Sequence, residues 1–227
     1  MIMSERIKIH PESPKKKQIF ELVDKLLDEG VLMIPTDSQY ALVCDYQNKK
    51  GMDRIRKIRQ MGKKDHLSVM CHSLEHVSTF ANLTDENFKL IKRLIPGPYT
   101  FILPATREVP RLLTHPKKRT VGIRVPNYPI CLETIEDLGR PIMAITAKLP
   151  DVEYGSPDSS DKEMYLSRFD KLVDIVVDDQ HPLSTDETTI LDLTSDQPEI
   201  IREGLGMKLL KEAVALEGHE LQKRASV

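Results

Sequence analysis

Along this chain the apolar positions switch repeatedly between helical spacing and short unbroken runs. Ile19, Leu22, Val23, Leu26 and Leu27 recur on one helical face. Ser13 as the cap and Pro14 at the first helical position predict a helix that Gly30 closes in the left-handed conformation. Val31-Leu32-Met33-Ile34 follows without periodicity, the pattern of a central strand covered on both faces. Pro35 ends that ladder by removing a donor, and Thr36, Asp37 and Ser38 then stand at the carboxyl end of the strand, where open α/β sheets place ligands.

The rest of the chain repeats the alternation irregularly. A second strand is expected at Ala41 to Cys44, then a helix capped by Asn48 with Met52, Ile55 and Ile58 inward and Arg54, Arg56, Lys57 and Arg59 outward. Lys63 and Lys64 extend this basic run past Gly62. Leu67 to Cys71 reads as a strand, and Leu74 to Phe80 as a short helix. Thr84 caps another helix with Phe88, Ile91, Leu94 and Ile95 on one face, stopped by Pro96-Gly97-Pro98. Strands are expected at Tyr99 to Pro104, Thr120 to Pro126 and Ile142 to Ala147, with a helix from Pro129 to Leu138 closed by Gly139. Leu149 to Asp161 is rich in Pro, Asp, Ser and Gly and reads as a loop long enough for a lid or binding role. Strands at Leu172 to Val177, Thr188 to Leu193 and Glu199 to Arg202 precede a helix at Met207 to Glu217 and a frayed end from Glu220. Such a mixture predicts an α+β or α/β fold, a mixed twisted sheet flanked by helices.

Length and composition fit one main domain: 227 residues with 40% hydrophobic content support one sizeable core. That domain is placed at residues 9–206, with 1–8 as an N-terminal extension and 207–227 as a helical tail. No apolar run approaches a membrane span, and Met1 to Arg6 lacks the apolar core of a secretory signal, so a cytoplasmic protein is expected. Cys44, Cys71 and Cys131 read as small buried residues in a reducing compartment. Net charge is -2, unevenly spread: residues 1–124 carry 23 Lys and Arg against 14 Asp and Glu, and the remainder is as strongly acidic. One basic face able to attract a phosphate-bearing partner follows, whether nucleotide or nucleic acid.

Walker, Gly-x-Gly-x-x-Gly and Gly-x-Ser-x-Gly motifs are absent. His72 and His76 have metal-like spacing without the glutamate of a zincin, so they read as surface histidines, and no metal site is assigned. Lys57 and Arg59 can converge on one phosphate only where the helix gives way to a turn. Pro96-Gly97-Pro98-Tyr99-Thr100 sets a rigid turn and a hydroxyl at the mouth of a strand. Arg124 stands in an otherwise apolar strand and so requires a partner or a ligand.

In this order the motifs resemble the YrdC/YciO family, from about Ile9 to Gly206. Pro35-Thr36-Asp37-Ser38-x-Tyr40-x-Leu42, Lys57-x-Arg59, the proline-glycine turn, Gly122-Ile123-Arg124-Val125-Pro126, and Thr188 to Leu193 followed by Ile201-Arg202-Glu203-Gly204 carry the likeness. Two departures from the family's synthases stand out. Gln60 and then Asp65-His66-Leu67 stand where they have proline and Lys-Pro-Leu, and Thr146-Ala147-Lys148 replaces Ser-Ala-Asn; the run Arg54 to Gln60, together with Thr100 to Leu103, looks closest to the YciO branch.

The resemblance implies an ATP-dependent nucleotidyltransferase that joins L-threonine and bicarbonate to the adenylate of ATP, for tRNA modification. Lys57 and Arg59 would be its catalytic cations. Thr100, Arg124, Thr146, Lys148, Thr189 and Arg202 would bind nucleotide or phosphate, and Thr36, Tyr40 and Leu67 threonine. Mg2+ would enter with the ATP. Lys148 in place of asparagine implies weaker catalysis, which Lys148→Asn would raise. The alternative is a protein of the same fold that binds double-stranded RNA or tRNA without catalysis. With 5% aromatic residues and no tryptophan, its contacts would be to backbone and shape.

Overall fold

The structure is a computed structural model that describes residues 4–61, 67–150, 161–218 and 220–223. Its elements are β1 (Glu5–Lys8), α1 (Lys16–Leu27), β2 (Leu32–Ile34), β3 (Ala41–Asp45), α2 (Lys49–Ile58), β4 (Ser68–Met70), α3 (Leu74–Phe80) and α4 (Asp85–Leu94). There follow β5 (Tyr99–Pro104), β6 (Thr120–Arg124), α5 (Pro129–Leu138), β7 (Ile142–Thr146), α6 (Lys162–Ser167) and β8 (Ile175–Asp178), then β9 (Thr189–Asp192), β10 (Glu199–Arg202), α7 (Met207–Leu216) and β11 (Gln222–Lys223).

The described strands form one mixed sheet in the order β1-β8-β2-β3-β7-β4-β6-β5-β9-β10-β11. Burial divides the helices between its faces. On one, Ile19, Leu22 and Leu26 of α1 and Ile130, Ile135 and Leu138 of α5 pack over Leu32, Ile34, Val43 and Ile175. On the other, Met52 and Ile55 of α2, Ile91 of α4 and Leu210 of α7 pack over Leu42, Val69, Phe101 and Ile123. The apolar cluster under α1 and α5 reaches only as far as Ile142 and Ala144 of β7 and Met70 of β4, and the cavity-lining residues from β7 to β10 keep open floor on that face. That floor is where the large cavity lies.

Several local expectations are corrected. The first helix begins at Lys16, capped by Lys15 without a side-chain bond, and the Ser13 hydroxyl instead meets His10 Nδ1 at 3.2 Å. Its left-handed residue is Glu29 (φ 57), not Gly30. Gly30 is required for another reason: a Cβ there would stand 2.6 Å from the Lys25 carbonyl that its N–H bonds. In α4 the buried face is Leu90, Ile91 and Leu94, while Phe88 is exposed. Residues 1–8, read as an extension, contain β1, which pairs in parallel with β8. The end from Glu220, read as frayed, contains β11 beside β10. The lid expected at Leu149 to Asp161 and the cations Lys63 and Lys64 fall largely or wholly outside the described residues.

Candidate active site

The site is set by the run from Pro35 to Tyr40. Where β2 ends, Thr36 folds the chain back on itself: its hydroxyl donates to the Gln39 carbonyl (2.7 Å) and accepts from Ser38 N–H (3.1 Å). This turn presents oxygens to Arg124, the last residue of β6. Arg124 Nη2 bonds Thr36 Oγ1 (3.2 Å), Ser38 Oγ (2.9 Å) and the Asp37 carboxylate. The guanidinium is nearly buried, yet its Nε has no partner among the described residues. A buried donor left over in this way is capacity for a ligand.

Arg124 faces a cavity of about 840 Å³. Its floor is Ala144 and Thr146 of β7, Ser68 of β4, and Gly122 of β6. Thr100 and Ile102 of β5, Ile190 and Asp192 of β9, and Arg202 of β10 continue it, and Tyr40 and Thr188 close one end. Arg59, Leu67, Leu113, His115, Lys118 and Thr120 form the remaining wall. Arg202 donates to the carbonyl (3.0 Å) and hydroxyl (2.8 Å) of Thr188, whose hydroxyl lies 3.3 Å from that of Thr100. Burial, partly offset by Glu187 and reinforced by the positive charge of Arg124, moves the Arg202 pKa below its ordinary value. Two guanidiniums that repel across a cavity favour an anion between them.

A smaller cavity of about 190 Å³ lies behind the turn, lined by Thr36, Ser38, Tyr40, Tyr128, Asp179 and His181. Asp179 is its hub. It accepts from Tyr40 Oη (2.8 Å), from Tyr128 Oη and from Lys162 Nζ (2.6 Å). Burial, and then the Asp179 carboxylate, pushes both phenols far above the usual tyrosine range, so both remain donors at neutral pH. Tyr40 lines both cavities and so forms the wall between them.

Of the eleven residues expected from the sequence, eight line the cavities: Thr36, Tyr40, Arg59, Leu67, Thr100, Arg124, Thr146 and Arg202. Three do not. Lys57 is exposed on the last turn of α2, whereas Arg59 caps that helix and turns inward, its Nη1 bonding the Lys148 carbonyl at 2.8 Å. Lys148 is exposed and meets the site through that main-chain oxygen. Thr189 is fully buried and holds Leu205 O (2.7 Å) and Gly204 N–H (3.0 Å), so Thr188 is the hydroxyl that lines the cavity. Asp179 and Lys162 had no sequence signal beyond their polarity, whereas Thr188 and Asp192 lie in the Thr188 to Leu193 run that carries the family resemblance and were not singled out within it. His72 and His76 are not independent surface histidines: their Nδ1 atoms stand 3.1 Å apart. Burial and His72 lower the His76 pKa. Among the described residues no group of three or more His, Cys, Asp or Glu could hold a metal.

Fold and site together define an α/β protein with a large cationic cavity on an open sheet face. The Sua5/YciO/YrdC family model, described as telomere recombination, matches residues 24–204, and the chain belongs to that family. It is 39% identical to the uncharacterized protein YciO of Escherichia coli (strain K12) over 90% of this chain and 97% of that one. The crystal structure of E. coli YciO superposes with a TM-score of 0.83 over the same shares. The chain is 29% identical to the threonylcarbamoyl-AMP synthase of Pyrococcus abyssi, over 78% of this chain and 51% of that one.

Proposed function

We propose that this protein is a threonylcarbamoyl-AMP synthase-like nucleotidyltransferase, with ATP and L-threonine as substrates. The observation that carries the reading is the pairing of Arg124 and Arg202 across the large cavity, with Arg59 on its wall and a partnerless Arg124 Nε. Kinship with a threonylcarbamoyl-AMP synthase supplies the chemistry to which such a cavity is suited.

In this reading the threonine nitrogen bonds to the bicarbonate carbon, water leaves, and a carbamate oxygen attacks the α-phosphorus of ATP. The bond to the bridging oxygen breaks and pyrophosphate departs. No protein nucleophile is needed for this step. Arg59 and Arg202 act by neutralising the phosphate charge as it moves to the leaving group. Arg124, anchored on Asp37, can use its spare donor for a carboxylate or phosphate oxygen. The hydroxyls of Ser68, Thr100, Thr146 and Thr188 supply neutral bonds. The described residues provide no cluster for Mg2+, so a magnesium ion would be held by the triphosphate itself.

RNA binding without catalysis is the rival. It gains from the surface cations Lys117 and Lys118, but Arg124 and Arg202 lie inside a cavity and not on a face that a duplex could cover. The test is pyrophosphate release from ATP with bicarbonate, with and without threonine. Release that requires threonine is expected. No release under any of these conditions overturns the synthase reading.

A further inference from the structure

Among the described residues that line the large cavity, Asp192 is the one acid, in a wall that otherwise carries Arg59, Lys118, Arg124 and Arg202. It ends β9 and is 8% exposed. Its Oδ1 is fully engaged, accepting from Thr194 N–H (3.0 Å) and Thr194 Oγ1 (2.6 Å). Oδ2 has no partner, and no ion pair joins Asp192 to a cation, among the described residues. Arg202, close by on β10, pairs instead with Glu187 at 3.4 Å. A fixed carboxylate with one open oxygen in a cavity requires a hydrogen-bond donor. It cannot receive the anionic part of a ligand, so it suits a part that donates a hydrogen bond.

The strand register says which part. Arg124 pairs with Met70, the Phe101–Ile123 register of β5 and β6 sets Thr100 opposite Arg124, and Thr100 pairs with Ile190 and Ile190 with Arg202, so these residues form one row across the sheet. Ser68, Gly122, Ile102 and Asp192 pair in succession to form the next row. Two residues along a strand advance about 6.6–6.8 Å. That separation matches the reach from a nucleotide's 5′ phosphate to the hydroxyls of its ribose. Gly122, within that second row, has no side chain to rise from it, so a sugar can lie against the floor there. Acidic residues serve as ribose acceptors in dinucleotide folds for the same chemical reason.

We propose that Asp192 accepts a hydrogen bond from a ribose hydroxyl of the bound nucleotide, and that this contact makes the cavity selective for ribonucleotides. The proposal rests on the nucleotide reading given above and adds to it the residue that reads the sugar. An exocyclic amine on the base is the competing donor, and it lies farther from the phosphate than one sheet row.

The experiment measures dissociation constants of the full chain for ATP, 2′-deoxyATP, 3′-deoxyATP and ITP, for wild type, Asp192→Ala and Asp192→Asn. Loss of a hydrogen bond to a charged group predicts that wild type binds at least one deoxy form about tenfold or more weakly than ATP, and ITP as well as ATP. Asp192→Ala should bind ATP at the deoxy level with no remaining preference. Asp192→Asn, which can keep the Thr194 contacts and whose folding is checked by its melting temperature, should show a reduced preference. Three results overturn the proposal: equal binding of ATP and both deoxy forms by wild type, an undiminished preference in a folded Asp192 variant, or discrimination against ITP alone. Those results leave the nucleotide reading standing. Failure of every nucleotide to bind wild type overturns that reading, and this role with it.

Discussion

Arg124 was legible because a charge inside an apolar strand has to be compensated, and the compensation is visible as the Thr36-Asp37-Ser38 turn. The hydroxyl that accepts from Arg202 was misassigned by one position: Thr189 was expected where Thr188 lines the cavity, since a shift of one residue in an extended chain exchanges the two faces. Lys57 and Arg59 were paired by spacing, but the helix persists to Ile58 and separates them. Arg59→Ala is therefore expected to lower threonine-dependent pyrophosphate release by roughly ten- to a hundredfold, the effect of a lost charge-assisted bond of about 1.5 to 3 kcal/mol. Lys57→Ala should have a clearly smaller effect. Equal losses from the two variants would show that the exposed lysine reaches the ligand after all. The geometry also reverses the expectation for Lys148→Asn. Arg59 bonds the main-chain carbonyl, which the substitution keeps, so turnover should change by no more than about twofold, the scale of an exposed substitution.

Elements with strong local signals were readable to the residue: α3, with Ser73 accepting from His76 N–H; β5 between prolines; and α5, from Pro129 to a left-handed Gly139. The edge strands β1 and β11 were not, because four and two residues carry too little alternation to stand out. The element on which the cavity most depends is β6, whose Gly122 leaves the floor flat. A Cβ there would meet Ser68 Cβ and Thr100 Cγ2 at 3.6 Å, ordinary contact, so a side chain fits the fold and intrudes on the ligand space. Gly122→Val, with a β-branched residue suited to a strand, should keep the melting temperature of the free protein while abolishing the rise caused by ATP. In wild type that rise reflects roughly 2.7 kcal/mol at about 100 times the dissociation constant. An unchanged ATP shift in Gly122→Val would mean that the nucleotide does not lie over β6. Gly206 is a different case: at φ 82, with Tyr99 against the position its Cβ would take, Gly206→Ala should lower stability by about 1 kcal/mol or more, as read by denaturant midpoint.

Across the whole molecule, one sheet face is shared between two tasks: α1 and α5 seal one side with apolar contacts that extend to Ile142 of β7 and Met70 of β4, and the cavity on the other side brings cationic and hydroxyl groups to its lining. The sequence conveyed the mixed sheet and the excess of cations in residues 1–124; that count says nothing of Arg202, in the acidic part of the chain, which the family resemblance placed among the phosphate-binding residues and which lines the cavity. Charge counts describe surfaces, whereas here Arg124 and Arg202 are brought to one cavity by strand order and Arg59 by the end of α2. RNA binding would spread its energy over many phosphate contacts, so Arg59→Ala would reduce RNA affinity only a few-fold and the salt slope by about one contact. A large loss of RNA affinity with unchanged pyrophosphate release would favour the binding protein. The central claim is tested most directly by following labelled bicarbonate into an adenylate by mass spectrometry of the reaction mixture. The account predicts labelled threonylcarbamoyl-AMP, formed only when ATP and threonine are both present. Pyrophosphate release that leaves no label in any adenylate, or no labelled product under any condition, would contradict it.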